Sequence, residues 1–333
     1  MTRHRLVIML GAIVMTTFLM LTGYGQCAEK KYVFKIGHTA PAGDNVNTGA
    51  LKLAELVAQK TNGQIKIEVY PDSQLGSPRT LMEGMQTGTQ EMLLTGSDNV
   101  GAYDPVMDLI ILPYMWDNPR DLYKFLDGPV GDELAEHFVK KTGVRSLAYL
   151  AWGEREIYTD SKHPVRTPEE LKGLKIRVPE APVMIETLRM MGAAATPMPY
   201  NDVYSAIQTG VINGWEGTPS GAIKGKMYEI TPNMTISSHL FIPAHFLISE
   251  KLYQSLPADL QKAIRDAAKE AAVFQVNLNM KETKEAIEES SKYFKVYNID
   301  QKPFRKAARD LWYRLEKERG MPGMIDRMLA TQK

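Results

Sequence analysis

The chain opens with an apolar stretch and then settles into alternating rhythms. Leu6 to Leu21 is apolar apart from Gly11, Thr16 and Thr17. Tyr32, Phe34 and Ile36 then alternate with Val33 and Lys35, a period of two that predicts a strand. Leu51, Leu53, Ala54, Leu56 and Val57 form a helical stripe over about Ala50 to Lys60, and Thr61-Asn62-Gly63 stops it. Ile65 to Tyr70 alternates again. Strand, helix and strand at this spacing make a βαβ unit, so a parallel sheet and an α/β fold class are expected.

The same grammar returns later. Thr167-Pro168-Glu169-Glu170 has a cap residue, a proline in the first turn and an acid three residues on, which predicts a helix start with Gly173 as its end. Leu174 to Val178 reads as a strand closed by Pro179. Asn201 is the expected cap of a helix with Val203, Ala206 and Ile207 on one face and Gly210 at its end. Val211 to Trp215 then leads into a loop.

One echo links the two regions. Gln86-Thr87-Gly88 leads through Met92-Leu93-Leu94 to Gly96-Ser97-Asp98-Asn99, and Gln208-Thr209-Gly210 leads to Trp215-Glu216-Gly217-Thr218. Either a good helix stop is reused by chance, or each half presents an equivalent loop at its strand ends, where open α/β sheets hold ligands.

The last third reads as helix. Leu256-Pro257 starts a run through Leu260, Ile264, Ala267 and Ala271 that persists to about Lys292. At ~1.5 Å per residue such a helix spans roughly 50 Å, enough to cross two lobes. Tyr293 to Val296 follows, and Lys302-Pro303 precedes a final amphipathic helix ended by Gly320. No Gly/Ser tract divides the chain, so two lobes would exchange strands rather than be strung end to end.

Charge and cysteine usage narrow the class. Arg3, His4 and Arg5 precede the apolar stretch, and Gly23, Gly25 and Ala28 precede Glu29, Lys30 and Lys31; residues 1–28 therefore read as an export signal, with an uncleaved anchor as the alternative. Cys27 raises a lipid anchor, against which Gln26 stands where a small residue is usual. Loss of residues 1–28 removes Arg3 and Arg5, leaving 38 basic against 39 acidic residues. That balance offers no field for nucleic acid. Cys27 is the only cysteine, so no disulfide is expected and the fold must rest on its core. A periplasmic protein is expected.

The familiar catalytic signatures are absent. His4, His38, His137, His163, His239 and His245 show no metal-ligand spacing, and there is no HExxH, no GxxxxGK[ST] and no GxSxG. No metal and no cofactor are expected. Two arginines invite a positive reading. Arg177 lies on a strand whose Leu174, Ile176 and Val178 face inward, so alternation turns it to the other face beside Pro179 and Glu180, at the strand's C-terminal end. Arg155 follows the apolar segment Leu147 to Leu150. Each is either a surface ion-pair partner or a carboxylate clamp, for which the planar fork of arginine is suited and lysine is not. Trp215-Glu216 is either a core tryptophan beside a solvated acid or a ligand platform beside a hydroxyl acceptor.

At these residues the chain resembles the solute-binding proteins of tripartite ATP-independent periplasmic (TRAP) transporters. The similarity runs through Tyr70-Pro71-Asp72-Ser73-Gln74-Leu75-Gly76, Leu171 to Pro179, Pro197-Met198-Pro199-Tyr200, Ala206 to Val211 and Leu256-Pro257 with Asp259 to Lys262. The resemblance implies a two-lobed periplasmic-binding-protein-like α/β fold with a hinge and a long lobe-spanning C-terminal helix. Its expected division is residues 29–151 plus about 240–280 in one lobe, and 152–239 plus about 281–333 in the other. It implies that Arg177 binds the ligand carboxylate, that Arg155 is a second cationic position, and that Tyr200, Glu216 and the loop of Ser97 and Asn99 line the cleft. Thr39 or His38 matches the end of the first strand, and His239 the return between lobes. Gly217 departs from the asparagine many members carry, after Gln-Glu where this chain has Trp215-Glu216.

The expected function is capture of a small organic acid and its delivery to TRAP membrane subunits by a monomer. Trp215-Glu216 beside two arginines favours a sugar acid, a uronate or aldonate. A C4-dicarboxylate or 2-oxo acid is the alternative ligand; a periplasmic enzyme or a sensory module for such an acid is the alternative class.

Overall fold

The computed structural model describes residues 30–332. The export-signal and Cys27 expectations lie outside the described residues.

Among the described residues a single mixed sheet of nine strands organises the fold, in the order β2-β1-β3-β8-β4-β7-β5-β6 with β9 paired to β8. The strands are β1 Tyr32–Gly37, β2 Ile65–Tyr70, β3 Met92–Gly96, β4 Val144–Thr159, β5 Lys175–Val178, β6 Ala194–Pro197, β7 Gly214–Gly217, β8 Asn233–Ser249 and β9 Lys295–Asn298. The parallel sheet expected from the βαβ unit is corrected to a mixed one. β1–β3, β5–β6, β5–β7 and β8–β9 are parallel, whereas β4 and β8 run antiparallel to each other and to β7 and β3. The two central strands are long, and each serves both halves. The C-terminal half of β8 pairs with β3, and the C-terminal half of β4 pairs with β7. This exchange is why no linker is visible in the sequence.

Register shifts mark the crossing. Between Arg155/Leu240 and Ile157/Thr235, β8 contributes extra residues that bulge out of the ladder. Their backbone N–H groups would be stranded there. The Glu156 carboxylate accepts from Ser237 N at 2.5 Å and Ser238 N at 2.9 Å and so closes the bulge.

The helices follow the sequence pattern, with differences at their ends. The first runs Asn45–Lys60, five residues earlier than the apolar stripe suggests, because the Asp44 side chain caps it by accepting from Val46 N. Thr167-Pro168-Glu169-Glu170 yields only a 3-10 turn, Pro168–Leu171, and Thr167 makes no side-chain cap. There Glu170 turns back to accept from Arg166 N instead. Asn201 likewise lies inside a 3-10 turn, Tyr200–Asp202, ahead of the helix Val203–Gln208, and caps nothing.

The helix Ala258–Glu289 has 32 residues, about 48 Å at 1.5 Å each. It bridges the halves: Gln275 bonds Asn45 and Ala151, Asn279 bonds Asn45, and Glu282 pairs with Lys224. Residues 302–331, expected in the second lobe, pack on both sides. Trp312 Nε1 donates to Pro113 O and Arg319 pairs with Asp108, while Arg314 pairs with Glu186. Among the described residues one apolar cluster lies around residues 81–193 with the C-terminal helices and another around Tyr158, Trp215 and Phe294, while Phe34, Ile36, Leu53, Val57 and Ile65 are buried between the first strands and the first helix.

Candidate functional site

A cavity of about 200 Å³ opens where strands end. Thr39 follows β1, Ser73 follows β2, and Asp98 and Asn99 follow β3. Pro179 and Glu180 follow β5, Met198 to Asn201 follow β6, and Thr218 follows β7; all line the cavity. Strands β2-β1-β3 approach it from one side and β7-β5-β6 from the other, with Trp152 and Arg155 of β4 between. Carboxyl ends of strands are where an open α/β sheet leaves a crevice. The two loops of the Gln-Thr-Gly echo both reach this cavity, one bringing Asp98 and Asn99, the other Gly217 and Thr218.

The two arginines differ in their partners. Arg155 is 5% exposed; its Nε donates to Glu216 Oε2 at 2.6 Å and its Nη2 to Glu216 Oε1 at 2.6 Å. Burial alone would raise the Glu216 carboxyl, but the Arg155 guanidinium, with the nearby His239 imidazole adding to it, overrides burial and pulls the group down to about 2. Arg177, 4% exposed, spends only Nε, on Met198 O at 2.9 Å. Its terminal nitrogens have no protein partner among the described residues, and the guanidinium lies 5.8 Å from the Tyr200 ring centre. Burial lowers its pKa to about 10, against the pull of Glu216, so it remains cationic at neutral pH. A buried, charged fork with unclaimed donors is the arrangement an anion completes.

Several expected site residues stand behind the wall. Ser97 is fully buried and its hydroxyl meets His245 Nε2 at 2.7 Å. His38 is 1% exposed and bonds Asn47, leaving Thr39 to face the cavity. Glu216 is wholly buried under Arg155. His239 is wholly buried, with Nδ1 on Ser237 Oγ and Nε2 3.8 Å from Glu216, beyond hydrogen-bond reach. Burial holds its imidazole below the usual range, hence neutral. Trp215 belongs to the core, stacked on Tyr158 with ring centres 5.1 Å apart and Nε1 donating to Thr231, and lines the cavity while almost wholly buried. That ring also explains Gly217: a Cβ there would stand 2.1 Å from it.

Residue-type reasoning passed over Asp44, Asp98 and Trp152. Asp44 had a signal, as the cap at the start of a helix that follows β1. Asp98 had one too, at the centre of the first echo loop. Trp152 had none, since a β4 irregularity between Ala151 and Gly153 sets its direction.

The description "Bacterial extracellular solute-binding protein, family 7" (DctP) matches residues 36–318. The chain belongs to this family of TRAP-type solute-binding proteins. This family 7 protein is similar to the 2,3-diketo-L-gulonate-binding periplasmic protein YiaO of Escherichia coli, 32% identical over 244 residues, 73% of this chain and 74% of the relative. It is 29% identical over 282 residues to the C4-dicarboxylate-binding periplasmic protein DctP of Rhodobacter capsulatus, 84% and 83% of the two chains. A TRAP periplasmic solute-binding protein of Citrobacter koseri with bound D-glucuronate superimposes with a TM-score of 0.82 at 29% identity, covering 90% of this chain and 98% of that one. The family 7 protein thus has the two-lobed fold of solute-binding proteins, with the cavity at its strand ends.

Proposed function

We propose that this protein captures a sugar acid, a uronate or aldonate, in the cavity and passes it unaltered to TRAP membrane subunits. The observation that carries the reading is Arg177, buried and cationic with its terminal nitrogens unclaimed. A ligand carboxylate taking both would relieve the cost of an uncompensated buried charge. Tyr200, Asn99, Thr39, Glu180 and Trp215 supply polar and aromatic surface for the remainder of the ligand. YiaO and the glucuronate-bound relative support the sugar-acid class. Residues 1–28 direct export, and the protein works as a periplasmic monomer whose lobes hinge where β4 and β8 cross.

Calorimetry of refolded protein against uronates, aldonates, 2-oxo acids and C4-dicarboxylates tests the reading. Micromolar or tighter binding of a uronate or aldonate, recovered chemically unchanged, is the expected result. Exclusive binding of a dicarboxylate, or turnover, rejects it.

A further inference from the structure

The charged groups that line the cavity are not all paired by contact, and the unpaired ones select among acids. Of the arginines that line it, Arg155 is neutralised by Glu216 at 2.6 Å and Arg79 pairs with Glu83 at 3.0 Å. Arg177 alone among them has no ionic partner among the described residues. Asp98 is the opposite case. It is 4% exposed and lines the cavity, and among the described residues no other residue donates a hydrogen bond to it; Oδ1 is buried without a partner there. The carboxylate folds back over Gly96, where a Cβ would stand 2.2 Å from Oδ1. Its loop is fixed from behind by the bond between Ser97 and His245. A buried carboxylate with no donor from another described residue awaits one from outside.

Building on the sugar-acid reading, we propose that Asp98 restricts this cavity to acids with one carboxylate. It accepts a hydrogen bond from a ligand hydroxyl while Arg177 holds the carboxylate. A second ligand carboxylate would find no unpaired cation beyond Arg177 among the described residues that line the cavity, and would meet at Asp98 an acid that burial pushes up and that Arg155 and Arg177 hold toward its charged form. Specificity then rests on a repulsive element as much as on an attractive one.

The test uses the full mature protein, calorimetry and three probes: D-glucuronate, D-gluconate, and D-glucarate, which adds a second terminal carboxylate to the same carbon chain. Native protein is expected to bind at least one monocarboxylate about a hundred-fold more tightly than D-glucarate. Asp98→Asn keeps an acceptor and removes the charge, so that preference should shrink about ten-fold or more. Asp98→Ala removes both, and monocarboxylate affinity should fall about ten-fold or more. Thermal melts of the ligand-free variants identify any that fail to fold, and the native comparison stands without them. Native protein that binds D-glucarate as tightly as D-gluconate or D-glucuronate overturns the inference, as does an unchanged preference in Asp98→Asn; both leave the sugar-acid reading intact. Native protein that binds neither monocarboxylate but takes succinate or malate overturns that reading, and this inference with it.

Discussion

Arg155 and Glu216 form a two-pronged ion pair across adjacent strands β4 and β7, each N···O contact 2.6 Å long and both side chains buried. One strand further, on β5, Arg177 has no such acid. Two arginines that look interchangeable in sequence therefore do different work: one is consumed in holding the cavity wall, the other is left for a ligand.

Removal of one member of the wall pair leaves the other charge buried alone. Arg155→Met or Glu216→Leu should each destabilise the protein by about 3–5 kcal/mol. The double variant, which buries no charge at this pair, should recover most of that loss. Urea unfolding of the four proteins gives the coupling directly. Additive losses would show that the two groups do not depend on each other.

The pair also fixes an acid limit. The Glu216 carboxyl is depressed from 4.5 to about 2, so its contribution to stability is complete above 4.5 and is lost as pH falls toward 2. Native protein should lose stability across that window more steeply than Glu216→Gln, whose residue there does not titrate. Denaturation midpoints taken at intervals from pH 6 to pH 2.5 decide the matter; parallel curves would contradict it.

Arg177 behaves in the opposite sense. Arg177→Ala should cost a hundred-fold or more in ligand affinity, because the ligand's carboxylate then loses its buried partner. Arg177→Lys should also weaken binding, since a point charge cannot replace a fork. The ligand-free protein should melt no lower in Arg177→Ala, and higher if the unpartnered charge is a burden. Calorimetry and melting curves separate the two effects. Unchanged affinity in both variants would remove Arg177 from the site.

How far the sequence reveals this division depends on what is local. Alternation placed β1, β2 and β5, and helical spacing placed the long C-terminal helix, because those signals need only near neighbours. The pairing of Arg155 with Glu216 needs the register of β4 on β7, where Ile157 opposes Glu216, and residues 61 apart carry no mark of that contact. The same holds for Ser97, whose hydroxyl looks available until β8 brings His245 to it. Asp98 is legible only through the repeated Gln-Thr-Gly pattern, which locates the loop and not the direction of its side chains.

Trp215 and Gly217 are coupled in a way that requires glycine at position 217. The indole ring folds over Gly217, and a Cβ there would stand 2.1 Å from it. The ring cannot swing away freely, because Tyr158 stacks on it and Thr231 accepts from Nε1 at 3.2 Å. Gly217→Ala should therefore destabilise the protein by about 1–3 kcal/mol through overpacking. In a Trp215→Leu background the same substitution meets a smaller side chain and should cost less than half as much. Urea unfolding of the two single variants, the double variant and the native protein measures the difference. An equal cost in both backgrounds would mean that the strain lies in the backbone at position 217 and that the ring is not what requires glycine there.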